Sequence, residues 1–588
     1  MKNIAFMRRR MTFVLSILFA MPAGLAFAQK LTGPYGEEFK SRVVAKGLSD
    51  PWELIYGPDN FLWITEAKGY RVSRVNPANG EKKVLLDLSH QRNFPRYDKT
   101  PDSLDGGKPW PQGGLMGLAL HPQLLNGKPY VYLAYIYNDP ARDSTGDGGK
   151  PNWGGHFFTG RIVCYQYDPQ QQSLSNPVMV CDSIPQSSDH NGGRLLVAPV
   201  GGKEYLFYTV GDMGAGQFDN GGRTNHAQNK EKYEGKVLRF NALPDADMNI
   251  YDRWIPNDNP FNGARQNAVW SLGHRNPQGL AWARIGGKDL LYSSEHGPFS
   301  DDEINLIEKG KNYGHPLVIG YNDNNYNGFA AAVSDRKTLP GDWHTTYPLI
   351  ASEEQNVKDI GETNFRGPIK SMYVAEGSFL NDIFLTTRDK PDEKKVDWPA
   401  VAPSGTTVYT SDVIPGWKNS LLVTSLKEAR LVRLKLNERG TGISGDTIGY
   451  FKAKARYRDV AFSPDGKRIY LSTDSSSVTS GPSEQDPEGS SLHGAILELT
   501  WQKGGTDLDD IEERAGNVAD HKSARKLLKD LFKSLREMDG GTARKVMFSP
   551  EAKLAFNLLV KRRLTEQDIQ LTKKLTSSLV SSIRDQSN

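Results

Sequence analysis

YGPDNFLWITEA (residues 56–67) and FSPDGKRIYLSTD (residues 462–474) lie near opposite ends of a 588-residue chain and repeat one pattern. Each has an aromatic residue, a spacer, a Pro-Asp turn and then an apolar run ending in threonine and an acid. Proline presets φ and aspartate caps its own turn, so both phrases predict a tight hairpin feeding a strand. Between them short β-rich runs recur from residue 41 to residue 505, among them YVYLAYIYN, GRIVCYQYD, YLFYTVGD and LVRLKL, each bounded by Gly, Pro, Asn or Asp. Helix-period segments are scarce there. The region is therefore all-β: a sandwich, a barrel or a propeller. A blade phrase at both ends favours the propeller, in which first and last copies become neighbours.

Working outward, the N-terminus carries Lys2 and Arg8 to Arg10, an apolar run over 11–21 and Ala26-Phe27-Ala28. That order predicts a cleaved signal peptide over 1–28, a mature start at Gln29 and a periplasmic or secreted protein. An uncleaved anchor is disfavoured because the apolar run is short for a span. After Gly505 leucines recur at helical spacing, Ser549-Pro550 reads as an N-cap with proline at the first position, and Thr565 with Asp568 imitates a capping box. The expected organisation is a β domain over 29–504 and a C-terminal α-helical appendage over 505–588, either packed on the propeller or serving as a docking module.

The composition is that of a globular protein, 37% hydrophobic with 58 glycines and 34 prolines. A net charge of +4 is no nucleic-acid signature, and basic stretches such as 522–533 alternate with apolar residues rather than forming a patch. Cys164 and Cys181 lie on two candidate hairpin strands, so a disulfide and two separate thiols both remain open.

Chemistry concentrates in 271–316, where SLGHRNPQGLAW, SSEHGPFSDDEINL and KGKNYGHP place polar groups on turns at strand ends. Upstream, His190 in SSDHNGGRL and Asp212 in YTVGDMG would meet if adjacent strand ends come together, and a carboxylate holding one ring nitrogen makes histidine a base near neutral pH. His274 is expected to buttress its own turn. Arg275, Lys427, Arg456 and Arg458 form a cationic set; the last two alternate by two and project from one face of a strand, suiting a polyanionic ligand. The Gly297-Pro298 carbonyls and Asp302 could hold a hard cation, though an acidic turn is commonly just solvated.

Taken together and in order, DHNGGRL, GHRNPQGLAW, SEHGPFSDDEINLIEKGKNYGHP, WPAVAPSG, LLVTSLK and RYRDVAFSPDG resemble the soluble pyrroloquinoline quinone (PQQ)-dependent glucose dehydrogenases and the wider aldose and sorbosone dehydrogenase group. The likeness spans about residues 41–502 and leaves out the C-terminal helices. It implies a six-bladed β-propeller with PQQ in the central mouth, oxidation of an aldose at C1 to the lactone, and delivery of the electrons to an external acceptor. By motif, His190 matches the general base, Asp212 the acid that orients it, and Gln112 and Asp189 sugar-contacting positions, with Trp398 as the sugar platform. Arg275 and Asn276 match groups at the reactive quinone oxygen. Lys427, Arg456 and Arg458 match a clamp on the tricarboxylate, with Asp474 in support. The carbonyls of Gly297 and Pro298 match ligands of a calcium ion (Ca2+), and Asp302 with Tyr313 a second calcium site associated with a homodimer. This sequence departs from the pattern at His296, where glutamine is usual and where the change would either alter calcium affinity or add a titrating group, and at Lys395, Ala400 and the long segment 98–110, which puts glucose itself in question.

Two other classes are weighed beside this one. A non-catalytic extracellular propeller would lack the base and the clamp, yet those residues are present. A calcium lactonase would need several side-chain Asn, Asp or Glu ligands at the channel, and these are not evident.

Overall fold

The computed structural model describes residues 29–93, 112–145, 154–217, 220–246, 253–331, 346–389, 399–474, 492–538 and 545–587. The signal-peptide reading and the segment 98–110 fall outside these residues, as do Lys395 and Trp398.

Six antiparallel sheets succeed one another along the chain. Blade 1 runs Pro51–Tyr56, Leu62–Glu66, Arg71–Val75, Lys82–Asp87; blade 2 has Leu115–Leu120 innermost and Ser173–Gln186 outermost; blade 3 runs from Leu195–Val200 to Val269–Leu272. Blade 4 begins with Pro277–Ile285 and blade 5 with Pro403–Tyr409. Blade 6 takes Tyr457–Phe462, Arg468–Thr473 and Ile496–Lys503 from the end of the β region and Glu38–Ala45 and Gln29–Thr32 from its start. The fold is a six-bladed β-propeller. Its ring is closed by hydrogen bonds between residues far apart in the chain, which leaves no free seam between first and last blades.

The two matching phrases occupy equivalent hairpins in neighbouring blades. Each joins an innermost strand to the next, and each places its left-handed residue at the same turn position, Asn60 (φ 62°) and Gly466 (φ 70°). The aspartates do the same work: Asp59 Oδ1 accepts from Phe61 N at 3.3 Å and Asp465 Oδ1 from Lys467 N at 3.1 Å. Tyr56 and Tyr470 then pack across the blade boundary with ring centroids 5.8 Å apart.

The apolar cores lie between blades, as the alternation of each strand requires. Leu118, Leu133 and Tyr165 of blade 2 meet Trp63 and Val72 of blade 1, and Leu195, Leu206 and Leu238 of blade 3 meet Tyr132 and Ile162 of blade 2. Helices α1 (Glu353–Ile360) and α2 (Gly377–Asp389) are carried by the connections of blade 4 to its own outer strand and onward to blade 5.

Among the described residues the ring is followed by helices α3 (Leu508–Gly516), α4 (His521–Glu537), α5 (Pro550–Val560) and α6 (Glu566–Ser587). Their starts are written in side chains: Asp507, Asp520 and Ser549 each accept from backbone N–H groups of the first turn, with Pro550 just inside α5. Leu508, Ile511, Leu527, Leu531 and Leu579 share one buried cluster with Trp417, Tyr450 and Phe39 of blades 5 and 6, so the helices are packed against the ring. Cys164 stands opposite Val178, and Cys181 opposite Ile162, so the two thiols do not face each other; both are free.

Candidate active site

Every blade runs its innermost strand in the same sense, so the connections entering those strands gather at one mouth of the central channel. His190 lies between the outermost strand of blade 2 and Leu195–Val200; Arg275 and Asn276 immediately precede Pro277–Ile285; Arg456 and Arg458 enter and begin Tyr457–Phe462. Asp212, Glu295, Lys427 and Asp474 sit where the second strand of a blade ends, on that same side. Loops from opposite ends of the sequence thus meet at one place.

The best-defined part is a chain of hydrogen bonds through His190. Its Nδ1 is 2.8 Å from Asp212 Oδ1, and Nε2 is 3.0 Å from the side-chain nitrogen of Gln217. Arg275 fixes the orientation of that amide, because its guanidinium can only donate and Nη2 lies 3.0 Å from Gln217 Oε1. The nitrogen of Gln217 therefore faces His190 and Asp189 (2.9 Å). Since the carboxylate of Asp212 accepts and the amide nitrogen donates, the imidazole carries its proton on Nδ1 and presents a lone pair at Nε2.

Asp212 is wholly buried and accepts from five donors. Besides His190 these are Gly214 N (2.9 Å) on Oδ1, and His315 Nε2 (2.8 Å), Tyr347 OH (2.6 Å) and Asn225 Nδ2 (3.1 Å) on Oδ2. Burial alone would push its carboxyl upward, but the charge and hydrogen bond of His190 and the bond from His315 overcome it and hold the group well below the usual carboxylate range. Burial drives His315 the other way, favouring its neutral form. His190 itself is strained into the left-handed region at φ 47°, with Gly192 and Gly193 also at positive φ behind it. No side chain fits at Gly211, where a Cβ would come within 2.0 Å of the His190 carbonyl.

Arg275 bridges two halves of 271–316. Its amide donates to Glu295 Oε1 at 2.5 Å, and Nη1 donates to the carbonyls of Gly297 (2.7 Å) and His296 (3.2 Å). Glu295 Oε2 also receives His274 Nδ1 at 2.9 Å, with Ser271 Oγ on the other ring nitrogen, so His274 does buttress its turn. Asn276 accepts from Gly192 N at 3.2 Å, while its own Nδ2, like Arg275 Nε and Arg458 Nε, is buried without a partner among the described residues. His296 donates Nε2–H to the carbonyl of Pro403 at 2.8 Å. Burial, with His190 and Arg275 nearby, holds His296 well below its ordinary value and favours its neutral form.

The cationic side is as compact. Arg458 donates to Gln278 Oε1 (2.7 Å) and Asp474 Oδ2 (2.5 Å), and Arg456 Nε lies 3.2 Å from the same oxygen. Asp474 hydrogen-bonds Asp50, whose carboxyl is raised to about 7 by burial and by the charge of Asp474, with Lys68 and Arg458 pulling the other way. Lys427 is half-buried on the link between Ser420–Ser425 and Leu431–Leu436, its amide on the Val401 carbonyl at 3.3 Å. Below this layer Arg194 plugs the axis, bonded to Glu53 (2.7 Å), Asp459 (2.8 Å) and the Gln278 carbonyl (2.8 Å) and stacked 4.2 Å from Trp52. It divides the mouth from a cavity of about 290 Å³ lined by all six innermost strands.

Most of the residues expected at the site are therefore gathered here. Gln112 joins through its backbone, which pairs with Ser188 O (2.9 Å) and Asn191 Nδ2 (3.1 Å) beside Asp189. Asp302 and Tyr313, which the resemblance assigns to one calcium site, do not form a common cluster. The carboxylate of Asp302 accepts from Gly297 N (2.9 Å), Val401 N (2.6 Å) and Ala402 N (3.0 Å), whereas the Tyr313 hydroxyl donates to the Leu306 carbonyl (2.5 Å) and accepts from Glu308 N. They engage opposite ends of strand Asp302–Leu306. Among the described residues no group of three His, Cys, Asp or Glu side chains could hold a metal ion. The sequence reading missed Gln217, His315, Tyr347, Asn225 and Lys68; of these only His315, in the quoted KNYGHP, lay in a stretch already singled out.

A six-bladed ring whose mouth joins a buried His–Asp pair to an arginine cluster is the framework of a sugar-oxidising propeller. The chain belongs to the glucose/sorbosone dehydrogenase family, whose model matches residues 48–347 and 384–479. It is 34% identical over 491 residues to quinoprotein glucose dehydrogenase B of Acinetobacter calcoaceticus, covering 79% of this chain and 92% of that protein. It is 28% identical to the aldose sugar dehydrogenase YliI of Escherichia coli, over 74% of this chain and 90% of the relative. Among solved structures, the PQQ-bound aldose sugar dehydrogenase of Streptomyces coelicolor aligns with a TM-score of 0.50 at 23% identity, over 80% of this chain and all of that one, a likeness of fold.

Proposed function

We propose that this protein is an exported quinoprotein that oxidises an aldose at C1 to the lactone, using PQQ and calcium, and passes the electrons to an external acceptor. The observation that carries the reading is the protonation pattern at His190, with Nδ1–H committed to Asp212 and a lone pair at Nε2. In this reading Nε2 takes the proton of the C1 hydroxyl, and buried Asp212 stabilises the imidazolium that results. Gln217 marks the place where that hydroxyl would bind, with Asp189, Gln112 and Trp398 beside the sugar.

The residues at the mouth suit PQQ. The orphaned Asn276 Nδ2 and the unused nitrogens of Arg275 and Arg458 are donors awaiting an electron-rich ligand, and Lys427, Arg456 and Arg458 would hold its carboxylates, steadied by Asp474. The carbonyls of His296 and Gly297 already converge on one positive group, the Arg275 guanidinium, a donor set that suits a hard cation; Gly297 and Pro298 would hold calcium. PQQ, when bound, would supply a hydride acceptor and the ion a Lewis acid. Arg275 and Asn276 would hold the cofactor there by donating hydrogen bonds to a carbonyl oxygen. A homodimer is an open part of the proposal.

The test is reconstitution of purified apo-protein with PQQ and calcium, then an aldose panel with an artificial dye as acceptor. Cofactor uptake with dye reduction is expected; neither uptake nor reduction would sink the reading.

A further inference from the structure

The stretch 522–536, which in sequence alternates basic and apolar residues, becomes something else once wound into a helix. In α4 the apolar Leu527, Leu528, Leu531 and Leu535 are buried, and Lys522, Lys526, Lys529, Lys533 and Arg536 are all exposed at steps of 4, 3, 4 and 3. That spacing is one face of a helix, so the five cations form a straight line about 21 Å long at 1.5 Å per residue. Its nearby acids offset it only at the ends: Asp530 is turned to Arg514 (2.5 Å), Glu537 lies 4.0 Å from Lys533 and Asp520 stands beside Lys522, which leaves Lys526, Lys529 and Arg536 in excess.

Beside it lies α5, antiparallel, with Phe532 against Phe556 (5.6 Å) and the Arg525 guanidinium on the carbonyls at the end of α5. This helix buries Ala552, Ala555 and Leu558 but leaves large apolar side chains outside: Phe548 is 72% exposed and Val560 63%. They stand at its two ends, each next to exposed cations, Lys545 at one and Arg562 and Arg563 at the other. The family match ends at residue 479, before any of these helices.

We infer that the outward face of α4 and α5 is a docking surface for an anionic phospholipid bilayer. A straight row dominated by flexible lysines matches a flat, laterally mobile anionic surface, where bidentate geometry is not needed. Apolar side chains exposed along α5 beside cations, Leu554 (49%) and Phe556 (45%) between the two ends, suit insertion among headgroups. Among the described residues no helix is long and apolar enough to cross a membrane, so the contact is peripheral.

Cosedimentation of the full chain with vesicles tests this, using phosphatidylcholine alone and phosphatidylcholine mixed with phosphatidylglycerol. Pelleting with the anionic vesicles only is expected, with release in about 1 M NaCl, where the Debye length falls to about 3 Å. The triple variant Lys526→Glu, Lys529→Glu, Lys533→Glu should weaken binding at least about tenfold, and the corresponding glutamine triple should fall between. Phe548→Ser with Val560→Ser should weaken it several-fold while keeping the salt dependence. Circular dichroism and thermal melts matching wild type show that these surface variants fold. A wild-type chain left in the supernatant, or a charge-reversed one that pellets like wild type, would overturn the inference. So would retention by an acidic protein or polyanion without vesicle binding, which would assign the face to a different partner.

Discussion

His315 Nε2 stands 2.8 Å from one oxygen of Asp212 while His190 Nδ1 stands 2.8 Å from the other. One buried carboxylate thus serves two imidazoles. Because His315 is kept neutral, its Nε2–H pins Asp212 from behind and fixes which oxygen faces the proposed base. Replacing His315 by alanine should lower kcat about tenfold to a hundredfold with little change in KM, the range seen when an outer partner of a working group is lost. His315→Gln, which can still donate, should recover part of the loss. Equal kcat in wild type and alanine variant would show that Asp212 needs no second histidine.

His190→Ala is the direct test of the base. PQQ uptake should be retained, because the cationic groups lie on other loops, while turnover falls about 10²- to 10⁴-fold. Absorbance titration of the cofactor and steady-state dye reduction separate the two. Unchanged turnover would reject the assignment.

Buried acids tie the stability of the protein to pH, Asp50 and Glu53 among them. Asp50 is raised to about 7 and Glu53 to about 8, in each case first by burial. A carboxyl whose folded pKa lies above its unfolded value favours folding while protonated, so stability declines as pH rises from the ordinary carboxylate range through those values. Asp212 has the opposite sign: its depressed pKa contributes stability at neutral pH that is lost on acidification. Asp50→Asn removes one such titration, so between about pH 5.5 and about pH 8.5 the Tm of the variant should fall less, or rise more, than that of wild type in thermal melts. Identical pH profiles of Tm in variant and wild type would contradict this.

Burial pushes the Cys164 thiol up to about 12, whereas Cys181 is only partly buried, and each sits opposite another residue. Thiol-reactive dye should leave Cys164 unlabelled in the native protein and label both thiols after denaturation without reductant, and dithiothreitol should leave Tm unchanged. Denatured, unreduced protein with no reactive thiol would reveal a disulfide instead.

Glu37 is fully buried and accepts from Trp417 Nε1 (3.0 Å), Tyr450 OH (2.7 Å) and Tyr35 N (2.9 Å). Glu37→Ala strands three buried donors and should cost about 3 kcal/mol or more in urea unfolding; a loss below about 1 kcal/mol would show that the site relaxes.

What could be read from the sequence was what local geometry encodes. The two Pro-Asp turns predicted their hairpins and their kinship because Asn60 and Gly466 solve one steric problem in one way. His190 and Asp212 were legible because one stands on a Gly-rich turn entering a strand and the other ends the next strand. Gln217 and Tyr347 were not, since they gain meaning only when the ring brings them to Asp212, and nothing in their own neighbourhoods reports it. Asp302 and Tyr313 show the converse: close in sequence, they are held at opposite ends of a strand. The lysines of α4 were misread as scattered because alternation along the chain differs from alignment on a helix.

The makeup of blade 6 also sets an order of events. Glu38–Ala45 is synthesised before the strands of blade 1, yet its ladder partner Ile496–Lys503 is made only after five blades. The helices that pack against Phe39 and Trp417 come later still. The ring therefore cannot lock until Ile496–Lys503 has been made, and a chain that stops short of it is left with an open sheet edge at Glu38–Ala45.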